Sequence, residues 1–307
     1  MPLMTESGKV SQDRAATGGW TCPKPRVVAV TSGKGGVGKS NIVANLGLAL
    51  ARQGLKVLLI DADLGLANLD ILLGLTARFT IYEVLAHRQP LSEVIVPGPE
   101  GVKILPASSG ISDLAELDEF QKLFLLDELD HYAEDLDAVL IDTGAGISRN
   151  VLFFNLAAQE RIVVANNQPT SITDAYALIK LLATRHRERH FKLLVNGLSR
   201  PREAQLVYRT LLTVAEQFLG QEIHLEYLGC IPYDESIPRA VMRQQPLLTL
   251  YPKAPASQSF IRLARSWWET PPKGGMAGNL KFFRRRGRQA AGGAGRGERG
   301  KKWQNRP

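Results

Sequence analysis

The sequence predicts an α/β protein, with a doubly wound, mostly parallel sheet and helices on both faces. Three observations predict it. Short apolar, β-branched runs alternate with longer amphipathic stretches from residue 26 to about 268, the pattern of strand–helix–strand units. The first apolar run is followed at once by a glycine-rich loop and a helix-forming stretch. The runs at 27–31, 56–61 and 137–142 each lead into a polar motif, and ligands of such sheets bind beyond the C-terminal strand ends.

In chain order, residues 1–25 are polar, with Gly18-Gly19, Pro23 and Pro25, and read as a flexible arm. Val27-Val28-Ala29-Val30-Thr31 suits a buried parallel strand. Asn41 to Arg52 is rich in Ala, Leu and Ile, and Gly54 closes it as a helix. Further strands are predicted at 56–61, 102–106, 137–142, 161–165, 192–196 and 225–230. Helices are predicted at 40–52, 118–132, 148–158, 172–185, 202–218 and 256–268. Residues 270–307 contain nine glycines, many arginines and few large apolar side chains, a composition that predicts disorder. The division is an arm over 1–25, one phosphate-loop domain over 26–269 and a basic tail over 270–307.

Composition narrows the class. A chain of 307 residues with 44% hydrophobic and 22% charged residues fits one large globular domain plus tails. No stretch approaches 18 uncharged apolar residues, so no membrane-spanning helix is expected. The first twenty residues lack the apolar centre of a secretory signal. Cys22 and Cys230 fit no metal or redox spacing, which points to a reducing cytoplasm. The net charge of +8 is local. Residues 271–307 hold eleven Lys/Arg against one acid, a net +10, so the other 270 residues sum to −2.

Gly33-Lys34-Gly35-Gly36-Val37-Gly38-Lys39-Ser40 is a phosphate loop. Its glycines let the backbone fold tightly, so that successive N–H groups make a nest for phosphate oxygens. The helix that follows adds about half a positive charge at its N-terminus. Lys39 would reach the β- and γ-phosphates and the Ser40 hydroxyl would sit on Mg²⁺. The candidate nucleotide-binding set runs from Gly33 to Asn41.

Two acidic motifs complete this chemistry. Val57-Leu58-Leu59-Ile60 runs into Asp61-Ala62-Asp63, and period two puts both carboxylates on one side if the strand continues. Either can orient water or a metal. For Asp61 and Asp70 a capping role at the next short helix is an equal alternative. Ala138-Val139-Leu140-Ile141-Asp142 ends an apolar strand in one acid, placed to hold Mg²⁺ through water. The small residues Thr143-Gly144-Ala145-Gly146 after it let backbone approach a γ-phosphate. Phosphoryl transfer rests mainly on positioning and electrostatic stabilisation, so no strong general base is required and turnover should be slow.

The second lysine, Lys34, sets this loop apart. With Ser32 it resembles the deviant Walker A loop of the MinD/ParA family of phosphate-loop ATPases. The resemblance implies an ATP- and Mg²⁺-dependent homodimer in which Lys34 crosses to the partner's nucleotide. It assigns Asp63 to positioning the attacking water, Asp61 to the metal or its water shell, and Asn196 with the 231–234 loop (Pro232, Tyr233, Asp234) to the adenine. The segments Asp61–Thr76, Asp142–Ile147, Pro169–Lys180 and Tyr227–Ser236 resemble the MinD-like flagellar-number regulators of this family, over roughly residues 26–268. That likeness implies action on a flagellar signal-recognition-type GTPase, a flagellar transcription activator or a basal-body protein, in the cytoplasm or on the inner membrane face at a cell pole. A cell-division or chromosome-partitioning ATPase, and a nucleotide-gated scaffold for a transcription factor, are the alternatives. The chain departs from the group's pattern at Ser11–Ala16, a faint echo of a GTPase-activating motif, and at Asn166-Asn167-Gln168, where an acid is usual.

Four lesser features stand outside these motifs. Asn279–Arg286 combines Leu280, Phe282 and Phe283 with four positive charges, suited to an anionic membrane surface and, less so, to nucleic acid. A solvated tail that binds nothing specific is an equal alternative to the membrane. His186 and His190 have helical spacing, but a solvated helix end is the simpler reading than a metal site. Trp267-Trp268 is expected to close the core, and Glu235 to serve a cap or turn.

Overall fold

The structure, a computed structural model, describes residues 25–108 and 116–270. Residues 1–24 of the 1–25 arm, the tail after Thr270 and the Asn279–Arg286 segment fall outside the described residues.

Eight strands form one sheet: β1 (Arg26–Ser32), β2 (Val57–Ala62), β3 (Val96–Pro97), β4 (Lys103–Leu105), β5 (Ala138–Ala145), β6 (Glu160–Ala165), β7 (His190–Leu198) and β8 (His224–Pro232). Their spatial order is β3-β4-β2-β5-β1-β6-β7-β8. All pairs are parallel except β3 with β4. The central strand β1 is buried along its whole length, as a parallel strand covered on both faces must be. It is flanked by β5 and β6, so the chain leaves it at the point where strand order reverses, the usual ligand crevice of such sheets.

Strand pleating divides the core. Val28, Val30, Leu59, Leu140 and Val164 face the helices Lys39–Ala51 and Pro255–Glu269. Val27, Ala29, Leu58 and Ile141 face Glu119–Tyr132 and Arg149–Ala157. Val163, Leu193 and Val195 face Pro169–His186 and Pro201–Leu219. Residues two apart share a face because Cβ atoms alternate along a strand. Helix starts are chemically marked. Asp118 and Gln121 form a reciprocal capping box, and the Ser148 hydroxyl accepts from the Val151 amide.

All seven strands and six helices expected from the sequence are present. The two-residue β3, and the short helices Leu69–Leu72, Ile81–Leu85, Leu91–Val94, Ser236–Met242 and Leu247–Leu250, are too brief to leave a periodic signal. One expectation is corrected. His186 and His190 do not share a helix face: the helix ends at His186, Arg187 takes a left-handed φ of 58°, and His190 opens β7. There it stacks on His224 of the neighbouring strand at 4.8 Å.

The end of the sheet opposite the phosphate loop holds a buried charge network. The Glu160 carboxylate accepts from the Arg26 guanidinium, from Lys192 Nζ at 2.9 Å and from Trp267 Nε1 at 3.2 Å. Arg26 also stacks over the Trp267 ring at 4.6 Å and donates to the last carbonyls of that helix. Trp267 therefore closes the core, as expected, and the network ties the last helix to β1, β6 and β7.

Candidate active site

The phosphate loop leaves β1 and enters the helix Lys39–Ala51. Gly36 and Gly38 have φ of 74° and 94°, open to glycine but strained for other residues. Gly33 is required for a different reason. A Cβ there would lie 2.0 Å from the Asp174 carbonyl oxygen, because the loop runs against the first turns of the helix Pro169–His186. Gly33→Ala must push two backbones apart, and such overpacking costs about 1–3 kcal/mol. A lower thermal midpoint than wild type is the expected result in a melt followed by circular dichroism.

Lys39 is buried, and its Nζ donates to Ser32 Oγ at 3.0 Å. Burial lowers its pKa, opposed by the charges of Asp142 and Asp63. Lys34 has different partners. Its exposed ammonium donates to Gln168 Oε1 at 2.8 Å and Thr170 Oγ1 at 2.9 Å. Both acceptors are neutral, an amide oxygen and a hydroxyl oxygen.

The acids stand at the mouths of adjacent strands, with Asp61 of β2 opposite Asp142 of β5. Asp61 is buried, and its oxygens accept from the amides of Asp63, Asn68 and Leu69 at 3.2, 2.9 and 3.0 Å. Its carboxylate thus pins the loop to the start of the short helix, as the capping reading has it. Burial raises its pKa and these amides pull it down. Asp63, half-buried, is raised by burial and lowered by Lys39. It borders Gly144, whose Cβ position lies 3.5 Å from Asp63 Oδ1. Asp142 is 1% exposed, and both its carboxylate oxygens are buried with no donor at full hydrogen-bond geometry, the Ser40 hydroxyl alone lying near enough to act on them. Burial pushes its pKa up, Asp61 adds to that, and the nearby Ser40 hydroxyl and Lys39 oppose it. A buried carboxylate left without partners calls for a ligand. The donor set of Asp142 oxygens and Ser40 hydroxyl is all hard oxygen and fits Mg²⁺.

The expected adenine residues lie at the ends of β7 and β8. Asn196 Nδ2 donates to the Val37 carbonyl at 2.8 Å, so Asn196 is tied to the phosphate loop. The Asp234 carboxylate is taken up by the amides of Ser236 at 2.8 Å and Ala256 at 3.1 Å. It joins the 231–234 loop to the N-terminus of the last helix, and these amides, against burial, hold its pKa low. Pro232 ends β8, and the Tyr233 ring is exposed. Asn41 lends its carbonyl to Asn45. Glu235 pairs with Arg239 at 2.7 Å across one turn.

Residues 28–247 match the CobQ/CobB/MinD/ParA nucleotide binding domain family. The chain belongs to the MinD/ParA family. Among MinD/ParA relatives, it is 43% identical over 258 residues to the antiactivator FleN of Pseudomonas aeruginosa, covering 84% of this chain and 91% of that protein. It is 36% identical over 245 residues to the flagellum site-determining protein YlxH of Helicobacter pylori, covering 78% and 80%. Among solved structures, MinD of Aquifex aeolicus superposes with a TM-score of 0.64 at 32% identity over 80% of this chain and 98% of that one. MinD of Pyrococcus horikoshii, complexed with Mg-ADP, superposes at 0.66 with 26% identity over 79% and 96%.

Three sets of loop contacts escaped sequence reasoning: Ser32 to Lys39, Gln168 and Thr170 to Lys34, and Asp174 to Gly33. The Lys34 partners lie 134 and 136 positions away. No local periodicity or spacing encodes such a contact.

Proposed function

We propose that this chain is a MinD-like ATPase whose ATP-dependent dimer regulates flagellar number and placement. One observation carries the ATPase part. Asp142, with two buried and unpartnered oxygens, stands with Lys39, Ser40 and Asp63 at the mouth of β1, β2 and β5. Lys39 and the Gly33–Gly38 amides hold the β- and γ-phosphates. Ser40 and Asp142 would hold Mg²⁺, with Asp61 bracing the loop beside them. When bound, that ion spreads and neutralises phosphate charge. Asp63 orients the attacking water, and Lys34 leaves Gln168 and Thr170 to reach the partner's triphosphate. Asn196 and the Pro232–Asp234 loop border the adenine. Phosphoryl transfer by positioning and electrostatics needs no strong base, and in this reading hydrolysis is slow and works as a switch.

The flagellar part rests on the two relatives. One is named for antiactivation and one for flagellar site determination. A transcription activator is the partner the first name supports, and a signal-recognition-type GTPase or a basal-body protein suits the second. Among the described residues no helix is long and apolar enough to cross a membrane. The proposed location is the cytoplasm and the inner membrane face at a pole, with the basic tail as the membrane contact.

Two measurements test the reading. Asp63→Ala should retain ATP-dependent dimerisation in light scattering while turnover drops about 100-fold, the scale of losing a positioned polar group in phosphoryl transfer. Unchanged turnover would remove Asp63 from its role. A deletion strain should carry an abnormal number of flagella. A normal count would reject the flagellar assignment and leave the ATPase chemistry standing.

A further inference from the structure

Ser32, the last residue of β1, is fully buried. Its hydroxyl donates to the Lys34 carbonyl at 2.7 Å and accepts from Lys39 Nζ at 3.0 Å. Its own carbonyl accepts from the Gly146 amide at 2.9 Å, in the loop after Asp142. One side chain and one peptide group therefore touch both loop lysines and the second acidic loop. We infer that Ser32 is a positioning residue for ATP hydrolysis, one that fixes the Lys34 backbone while Lys39 and the Gly146 loop engage phosphate.

The physical case has three parts. Lys39 is desolvated, and a buried ammonium needs acceptors. Ser32 Oγ supplies one until phosphate oxygens take over, so Lys39 waits in place rather than wandering. The hydroxyl's proton is committed to the Lys34 carbonyl, which orients its lone pairs toward Lys39. At the far end Lys34 is held by Gln168 and Thr170. Its side chain can leave them while Ser32 keeps its backbone fixed. Prepaid positioning of this kind lowers the barrier without adding affinity for the ground state. Loss of the hydroxyl should thus act on turnover, where Lys34 works, more than on adenosine diphosphate binding by one protomer.

This inference rests on the ATPase reading above, and the experiment separates the two. Ser32→Ala, Ser32→Cys and Ser32→Thr are compared with wild type for kcat, KM for ATP, Mg-ADP affinity by calorimetry and thermal midpoint. Ser32→Ala should lower kcat about tenfold, one hydrogen bond's worth at ~1.4 kcal/mol. Its Mg-ADP affinity should stay within about threefold of wild type, since the nest of amides is untouched. Cysteine keeps the size but bonds weakly. It should behave like alanine and decides the matter if Ser32→Ala does not fold. Threonine keeps the hydroxyl and should recover most of kcat. A wild-type kcat in Ser32→Ala or Ser32→Cys, an equal fall in kcat and Mg-ADP affinity, or threonine no better than alanine would each overturn the role of Ser32 alone. Absence of ATP turnover in the wild type would overturn the ATPase reading itself.

Discussion

Asp142→Asn should leave the nucleotide-free protein more stable than wild type and almost inactive. In the folded chain the Asp142 carboxylate is buried, lacks hydrogen-bond partners and faces Asp61 across the β2–β5 register. An unsatisfied buried polar group costs about 1–3 kcal/mol, and more when charged. Asparagine removes the charge at nearly constant volume. A gain of ~1–2 kcal/mol would raise the melting midpoint of a domain this size by about 2–8 °C. Hydrolysis should fall by about 100-fold or more, because the group that would anchor Mg²⁺ is gone. Calorimetric melting and a phosphate-release assay on the same preparation check both halves. A variant less stable than wild type would show that Asp142 is a structural residue with satisfied partners. Stability gained where activity is lost marks a group held for function.

Glu160→Gln should have the opposite profile: a large loss of stability with phosphate binding preserved. Glu160 is the shared acceptor for Arg26, Lys192 and Trp267. Neutralising it leaves two buried cations facing a neutral amide. Breaking a buried charge network by removing one partner costs about 3–5 kcal/mol, which lowers the midpoint by about 6–20 °C. The pH dependence has a definite sign. Burial alone would raise the Glu160 pKa, but hydrogen bonds and charge from Arg26, with Lys192, hold it below the ordinary glutamate value. A folded pKa below the unfolded one means that the stabilisation is complete above the unfolded pKa. It fades as pH falls through the folded value. Wild type should therefore lose stability on acidification more steeply than Glu160→Gln. Parallel midpoint–pH curves for the two proteins would show that Glu160 contributes no net charge stabilisation.

The sequence was most legible where chemistry is local. The Gly33–Ser40 loop, the apolar runs ending at Asp61 and Asp142, and the helices with capping residues Asp118 and Ser148 are written in consecutive residues. Steric and hydrogen-bonding rules act over three to eight positions there. Legibility faded for elements shorter than their own period, such as Val96–Pro97 and Leu91–Val94. At His186 the expected end of the helix near 185 holds, but nothing local showed that His190 would open β7 and stack on His224.

By itself the sequence determined the doubly wound sheet, the loop that can cradle phosphate, and the identity of the lysines and acids around it. Tertiary structure decided what each of those groups does at rest. It left Asp142 unpartnered, spent the Asp61 and Asp234 carboxylates on backbone amides, tied Asn196 to the loop and laid Lys34 on Gln168. The Asn196 and Lys34 contacts join atoms more than a hundred residues apart, the Asp61 and Asp234 contacts close loops within 22 residues, and burial sets the worth of each meeting by removing water as the competing partner.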